Sequence, residues 1–188
     1  HSCGICRSIG FLHRQKLQGA ASGTVQEECL KLFKWFKDLT LIDVEKVYKE
    51  LDIHFDSYNG ESFYNDKMQA IVDELQDKNL LVESEGAKVV MLDEYNMPPC
   101  LILKRDGSPL YPTRDIAAAV YRKEVYNFDK CIYVTCAGQS LHFAQWFKVV
   151  ELMGYDWFDK LVHVPYGTVS INGAKLATRT GNVILLKD

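Results

Sequence analysis

The sequence predicts an α/β fold in which a partial parallel sheet follows an α+β segment. Three observations carry that reading. From Leu110 to Met153 the chain reads as a helix opening, a short apolar strand and a second helix that starts where the strand stops. Leu161 to Pro165 supplies a further strand, so helices and strands alternate as they do around a parallel sheet. Before Ser108 the pattern is different: amphipathic helices come first, then short apolar strands separated by turn signals. The chain therefore divides into an uncertain leader over 1–23, a helical and antiparallel-strand segment over 24–108, and the α/β segment over 109–188.

Taken in order, the leader is the least legible stretch. Cys3 and Cys6, with His1 and His13 nearby, could form part of a metal or redox site, but no second Cys or His pair stands at ligand spacing. From Thr24 the period is helical, with Val25, Cys29, Leu32, Phe33 and Phe36 on one stripe and Trp35 and its aromatic neighbours assigned to the core. Thr40 followed by Asp43 is an N-terminal capping signal, so a new helix is expected there, carrying Val44, Val47, Tyr48 and Leu51. Ile53 to Asp56 alternates like a short strand, and Tyr58 to Gly60 suits a turn. His54 has no evident partner and is read as structural or solvated. Met68, Ile71, Val72 and Leu75 mark a third amphipathic helix, ending near Asp77 to Asn79.

Leu80–Val82, Lys88–Leu92 and Cys100–Lys104 read as two or three antiparallel strands, closed by the Asp106-Gly107 turn signal. Pro112 then fits the first turn of a helix, where its missing N–H costs nothing. Ile132 to Val134 lie in an apolar run short enough for a strand buried on both sides. The helix from Gln139 to Met153 is apolar almost all round, which predicts packing on more than one side, with His142 read as a satisfied core histidine.

The composition excludes some classes. A hydrophobic share of 47% and a charged share of 25% are those of an ordinary globular protein, and 188 residues can bury a sizeable core. No apolar run approaches the roughly 20 residues of a membrane span. The net charge of −3 gives no global attraction to nucleic acid, so any such contact must be a local patch. Six cysteines without a framework spacing suit reduced thiols in a cytoplasmic protein.

The chemistry-bearing residues cluster in the second half. Tyr111 and Asp115 are four apart and share a helical face; Gln139 follows a strand end. Ligands of open α/β sheets bind beyond the carboxyl ends of the strands, where these three side chains would converge. Asp115 also has a plain alternative role as a helix N-terminal charge, worth about 0.3–1 kcal/mol.

Four motifs, YPTRD (111–115), QSLHFAQ (139–145), LVHVPYG (161–167) and KLATRTGN (175–182), occur in this order and spacing. With LFKWFKD (32–38) and FDSYNGESFYND (55–66), they resemble the second half of the catalytic domain of bacterial arginyl-tRNA synthetases, class I enzymes, over Gln26 to Asp188. The resemblance implies a partial Rossmann-like, HUP-type sheet, with the segment before Ser108 as an insertion in it. It implies a ligase that joins arginine to its tRNA using ATP with Mg²⁺. Tyr111, Asp115 and Gln139 would hold arginine; His163, Gly167 and Val169 would border ATP; Lys175 and Arg179 would act on the phosphates as catalytic cations hinged by Gly173 and Gly181. No dedicated protein metal site is implied.

Departures accompany the match. Leu176 and Ala177 stand where the family commonly has Met and Ser, Thr180 where it has a basic residue, and Gly138 and Ser140 where acidic residues often flank the glutamine. The HxGH nucleotide loop is not matched, since Ile5 stands in place of its second histidine. The modules that hold tRNA are not matched either. The expectation is a synthetase fragment inactive by itself; the alternative is a stand-alone binding or interaction protein derived from a truncated synthetase.

Overall fold

The computed structural model describes residues 23–168, 170–171 and 174–175. Residues 58–168 form one compact unit, and residues up to 57 group with those from 169 onward in a second.

In the unit spanning 58–168, a 3₁₀ turn at Glu61–Lys67 leads into helix α2, Met68–Asp77. (Helix α1 belongs to the other unit and is described below.) Met68, Ile71, Val72 and Leu75 are buried, on the face their spacing predicts. Strands β1 (Val82–Ser84), β2 (Ala87–Val90) and β3 (Cys100–Leu103) form an antiparallel sheet in that order. Glu85 and Gly86 both take positive φ, 52° and 79°, as a two-residue hairpin with the right-handed twist requires. At the next turn Gly107 has φ 75°, and the Asp106 carboxylate accepts from the Ser108 backbone N–H at 2.9 Å.

Helix α3 runs Tyr111–Tyr126, β4 Cys131–Cys136, and a 3₁₀ turn Ala137–Gln139 opens α4, Ser140–Leu152. Gly154, at φ 86°, lets the chain leave α4 and return as β5, Leu161–Tyr166. Strands β4 and β5 pair in parallel from Cys131↔Leu161 to Cys136↔Tyr166. The parallel pair joined by a helix is the arrangement the alternating pattern predicts. One core runs through the unit on both sides of Ser108, from Leu75, Leu92 and Ile102 to Ile116, Trp146 and Val150. Ser108 thus marks a change of pattern along the chain, not a gap in the packing.

The two faces of the parallel pair differ. Tyr133 packs its ring 5.2 Å from those of both Phe143 and Trp146 on α4. Ile132 and Val134 point the other way and are 55% and 62% exposed. The expectation of a strand buried on both sides is therefore corrected: successive strand residues face opposite ways, and among the described residues only one face is covered.

In the other unit, α1 is a single helix over Gly23–Glu50. The break expected at Thr40 is absent, because the Thr40 hydroxyl donates to Phe36 O at 2.8 Å, one turn back, and does not cap. Trp35, expected in the core, is 55% exposed, and Leu32 and Leu39 are exposed as well. A helix buries a stripe only where another element lies along it, and no α1 residue whose burial is described is fully buried. Ile53 to Asp56 is irregular backbone and not a strand: Ile53 N–H returns to Tyr48 O at 2.8 Å, and the Phe55 ring lies edge-on to Tyr48 at 4.8 Å. Short strands β6 (Ser170–Ile171) and β7 (Ala174–Lys175) form the antiparallel hairpin expected before the KLATRTGN motif. Cys3, Cys6, His1 and His13 lie outside the described residues. Among the described residues, no helix is long and apolar enough to cross a membrane.

Candidate substrate site

The site is built where two helices begin. Leu110 is extended, at φ −100° and ψ 176°, and Pro112 occupies the first turn of α3. No side chain caps this helix; the junction is instead stitched to β3. Ile102 O accepts from Leu110 N–H at 2.9 Å and from the buried Thr113 hydroxyl at 2.7 Å. Two hydrogen bonds to one carbonyl fix where α3 starts, and therefore where Tyr111 and Asp115 stand. Thr113 was not singled out in the sequence, because its role depends on a strand eleven residues earlier.

Helix α4 is fixed by a separate set of contacts. The Ser140 hydroxyl donates to Ala137 O at 2.8 Å. One turn further on, the Gln145 amide donates to Pro98 O at 2.8 Å and Pro99 O at 3.2 Å, holding the loop before β3. Between them, His142 Nε2 lies 2.6 Å from Asp115 Oδ2. That contact joins the first turns of α3 and α4. The expectation of a core histidine is only partly met, since the His142 side chain is 27% exposed and its partner is a carboxylate, not an apolar shell.

Asp115 is half-buried, while Tyr111 and Gln139 are exposed, so none of the three is walled off from solvent. Gln139 ends the 3₁₀ turn that precedes α4, three residues before His142. Among the described residues the Tyr111 hydroxyl and the Gln139 amide have no hydrogen-bond partner, and no Lys or Arg forms an ion pair with Asp115. The adjacent cation, Arg114, is engaged with Glu61 at 2.9 Å. What remains is a carboxylate, a phenol and an amide with unused hydrogen-bonding capacity at adjoining helix starts. Asp115 also reaches the core electrostatically: burial, and after it the charge of Asp115, pushes the Cys100 thiol up to about 12.

His163 stands in register with Tyr133 on the covered face. Its Nε2 lies 2.8 Å from the Thr135 hydroxyl, and its ring stacks on Phe143 at 4.3 Å with an interplanar angle of 10°. Gly167 follows the carboxyl end of β5, and a Cβ added there would meet nothing within 4 Å. Because β4 and β5 are parallel, Gly167 leaves the sheet at the end where β4 leads into Gln139. Val169, Arg179 and the Lys175 side chain lie outside the described residues. No three His, Cys, Asp or Glu side chains gather as a metal site among the described residues.

The family described as tRNA synthetases class I (R), catalytic domain, matches residues 14–188. The chain belongs to that family. An arginine–tRNA ligase of Alkaliphilus metalliredigens is 58% identical over 162 residues, covering 86% of this chain and 29% of the relative. One of Clostridioides difficile is 57% identical over the same length. The arginyl-tRNA synthetase of Plasmodium falciparum superposes with a TM-score of 0.69 at 29% identity, covering 83% of this chain and 27% of that one. The chain thus spans less than a third of the length of these arginyl-tRNA synthetases. The match takes in the junctions that carry Tyr111, Asp115, Gln139 and His142, and the partial α/β fold is that of the class I catalytic domain.

Proposed function

We propose that this stretch supplies the arginine-recognising part of an arginyl-tRNA synthetase active site. Arginine would be activated with ATP and Mg²⁺ and passed to tRNA in the complete enzyme. The observation that supports it is the Asp115 carboxylate, accessible, without a Lys or Arg partner among the described residues, and placed with Tyr111 and Gln139 at adjoining helix starts. A guanidinium offers a planar fork of donors, which a carboxylate accepts in pairs. An ammonium, being a point charge, leaves acceptors arranged for the fork unpaired, so lysine is rejected.

Beside it, Gly167 and Val169 would border the adenine, with His163 behind them as a wall whose ring is already held by Phe143 and Thr135. Lys175 and Arg179 would meet the phosphates when charge accumulates on the departing pyrophosphate, stabilising that stage selectively. Mg²⁺ would be held mainly by the phosphates themselves.

Calorimetric titration of the 188-residue chain with arginine and with lysine tests the reading. Arginine is expected to bind weakly and lysine at least about tenfold more weakly. Equal binding of the two, or none of arginine, overturns it. Arginine-dependent ATP–pyrophosphate exchange by the same chain is expected to be absent.

A further inference from the structure

We propose that His142 is a positioning residue for arginine, holding the Asp115 carboxylate in the one orientation that a guanidinium can use. The inference rests on the reading of Asp115 given above and extends it to a residue that does not itself touch the ligand.

The geometry is specific. His142 Nε2 lies 2.6 Å from Asp115 Oδ2, and an ionised carboxylate only accepts, so the ring nitrogen carries the proton and donates. That bond takes one acceptor position of the roughly four that two carboxylate oxygens offer, leaving Oδ1 and part of Oδ2 for a forked donor. Without it, Asp115 would be a half-exposed side chain free to rotate, and a ligand would have to order it on binding.

The ring has its own supports. Phe143, next along α4, has its ring nearly perpendicular to that of His142 with centroids 5.5 Å apart, and it stacks in turn on His163. Gln145 ties the same helix to Pro98 and Pro99. Across the site, Thr113 fixes α3 against Ile102 O. Both ends of the His142–Asp115 bond are therefore anchored by contacts that do not involve the bond itself. A rigid donor on a rigid helix is what a precise binding geometry needs.

Two other uses of the pair are disfavoured by the contacts present. A hydroxyl nucleophile activated through His142 would need a serine on the ring, and Ser140 donates instead to Ala137 O at 2.8 Å. A merely structural tie between the helices would have no need of solvent access to the carboxylate, whereas these side chains are 27% and 36% exposed.

The test follows arginine binding to the 188-residue chain by NMR, together with the ¹³C resonance of the Asp115 carboxyl, in four versions: unsubstituted, His142→Gln, His142→Leu and Asp115→Asn. The Gln amide can reach Oδ2 much as the imidazole does; Leu keeps the bulk and removes the donor. His142→Leu is expected to weaken arginine binding about tenfold and to shift the Asp115 carboxyl signal, with the rest of the spectrum unchanged. His142→Gln is expected to restore both to within about threefold. Asp115→Asn is expected to abolish the arginine response. If His142→Leu binds arginine like the unsubstituted chain, or if His142→Gln is as weak as His142→Leu, the positioning role is overturned while the reading of Asp115 stands. If Asp115→Asn binds undiminished, or the unsubstituted chain gives no arginine response, the reading of Asp115 fails and this inference fails with it.

Discussion

Along β4, Tyr133 and Thr135 turn toward α4 while Ile132 and Val134 turn toward solvent. With Ile132 and Val134, the bare side of this strand is at least as apolar as the side of Tyr133 and Thr135, yet among the described residues only the latter is packed. The covered side carries a ring cluster of Tyr133, Phe143, Trp146 and Phe147, with His163 stacked beneath. The bare side presents Ile132, Val134, Val164 and Tyr166, all exposed. Parallel sheets are ordinarily covered on both faces. The comparison separates two meanings of an apolar run: it states which side chains want cover, and it does not state whether a given stretch of chain provides it. The candidate site stands with the packed face, because α4 covers that face and also presents His142, with Gln139 in the turn that opens it.

The largest expected effect sharpens that contrast from the packed side. Trp146 is fully buried, with ring centroids 4.4 Å from Phe147 and 5.2 Å from Tyr133. Trp146→Ala removes the centre of the cluster and is expected to cost about 3–5 kcal/mol in urea unfolding. A loss below about 1 kcal/mol would mean that the cluster relaxes freely and that α4 is not held by it. The arginine response should fall with this variant too, since α4 sets the position of His142.

A pH experiment probes the same core where the site touches it. The folded-state pKa of Cys100 is raised, first by burial and second by the Asp115 charge, from 9.0 to about 12. The unfolded thiol therefore ionises first as pH rises. The unfolded state then binds fewer protons than the folded state, and stability falls with rising pH. The contribution is intact below about 9 and is lost progressively toward about 12. Relative to Cys100→Ala, the unsubstituted chain should lose stability more steeply across that window, by up to roughly 1.4 kcal/mol per pH unit. Parallel pH profiles for the two would show that the thiol is not confined as the structure has it. Asp115→Asn should leave the onset near 9 unchanged and bring the upper end of the window to lower pH, because a charge that opposes ionisation of the folded thiol is gone.

Much of this was legible in the sequence where period and punctuation agree. Met68, Ile71, Val72 and Leu75 give a helix stripe, Pro112 a helix start, Asp106-Gly107 a turn, and the run through Ile132 to Val134 a strand. Legibility failed where one local signal had two structural meanings. Thr40 followed by Asp43 looks like a cap, but the Thr40 hydroxyl can equally return to Phe36 O inside a continuing helix. Trp35 looks like core because aromatic rings usually are, while its burial depends on what lies along α1. In the site, the spacing of Tyr111, Asp115 and Gln139 was readable. The Thr113 and His142 contacts were not, since their partners Ile102 and Asp115 are eleven and 27 residues away and only folding pairs them.

The smallest expected effect breaks the comparison most directly if it fails. Val134→Thr keeps the branched shape that strands favour and replaces a methyl with a hydroxyl on the bare face. At 62% exposure the side chain has little cover to lose, so unfolding free energy should change by no more than about 0.5 kcal/mol. The Val134 side chain is not part of the packed cluster, so arginine binding should be unaffected. A loss of several kcal/mol would mean that the face is covered in solution. Cover from a second copy would reveal itself further, because the midpoint of unfolding would then rise with protein concentration. A midpoint independent of concentration, together with a silent Val134→Thr, leaves the packed face as the one that holds the unit together.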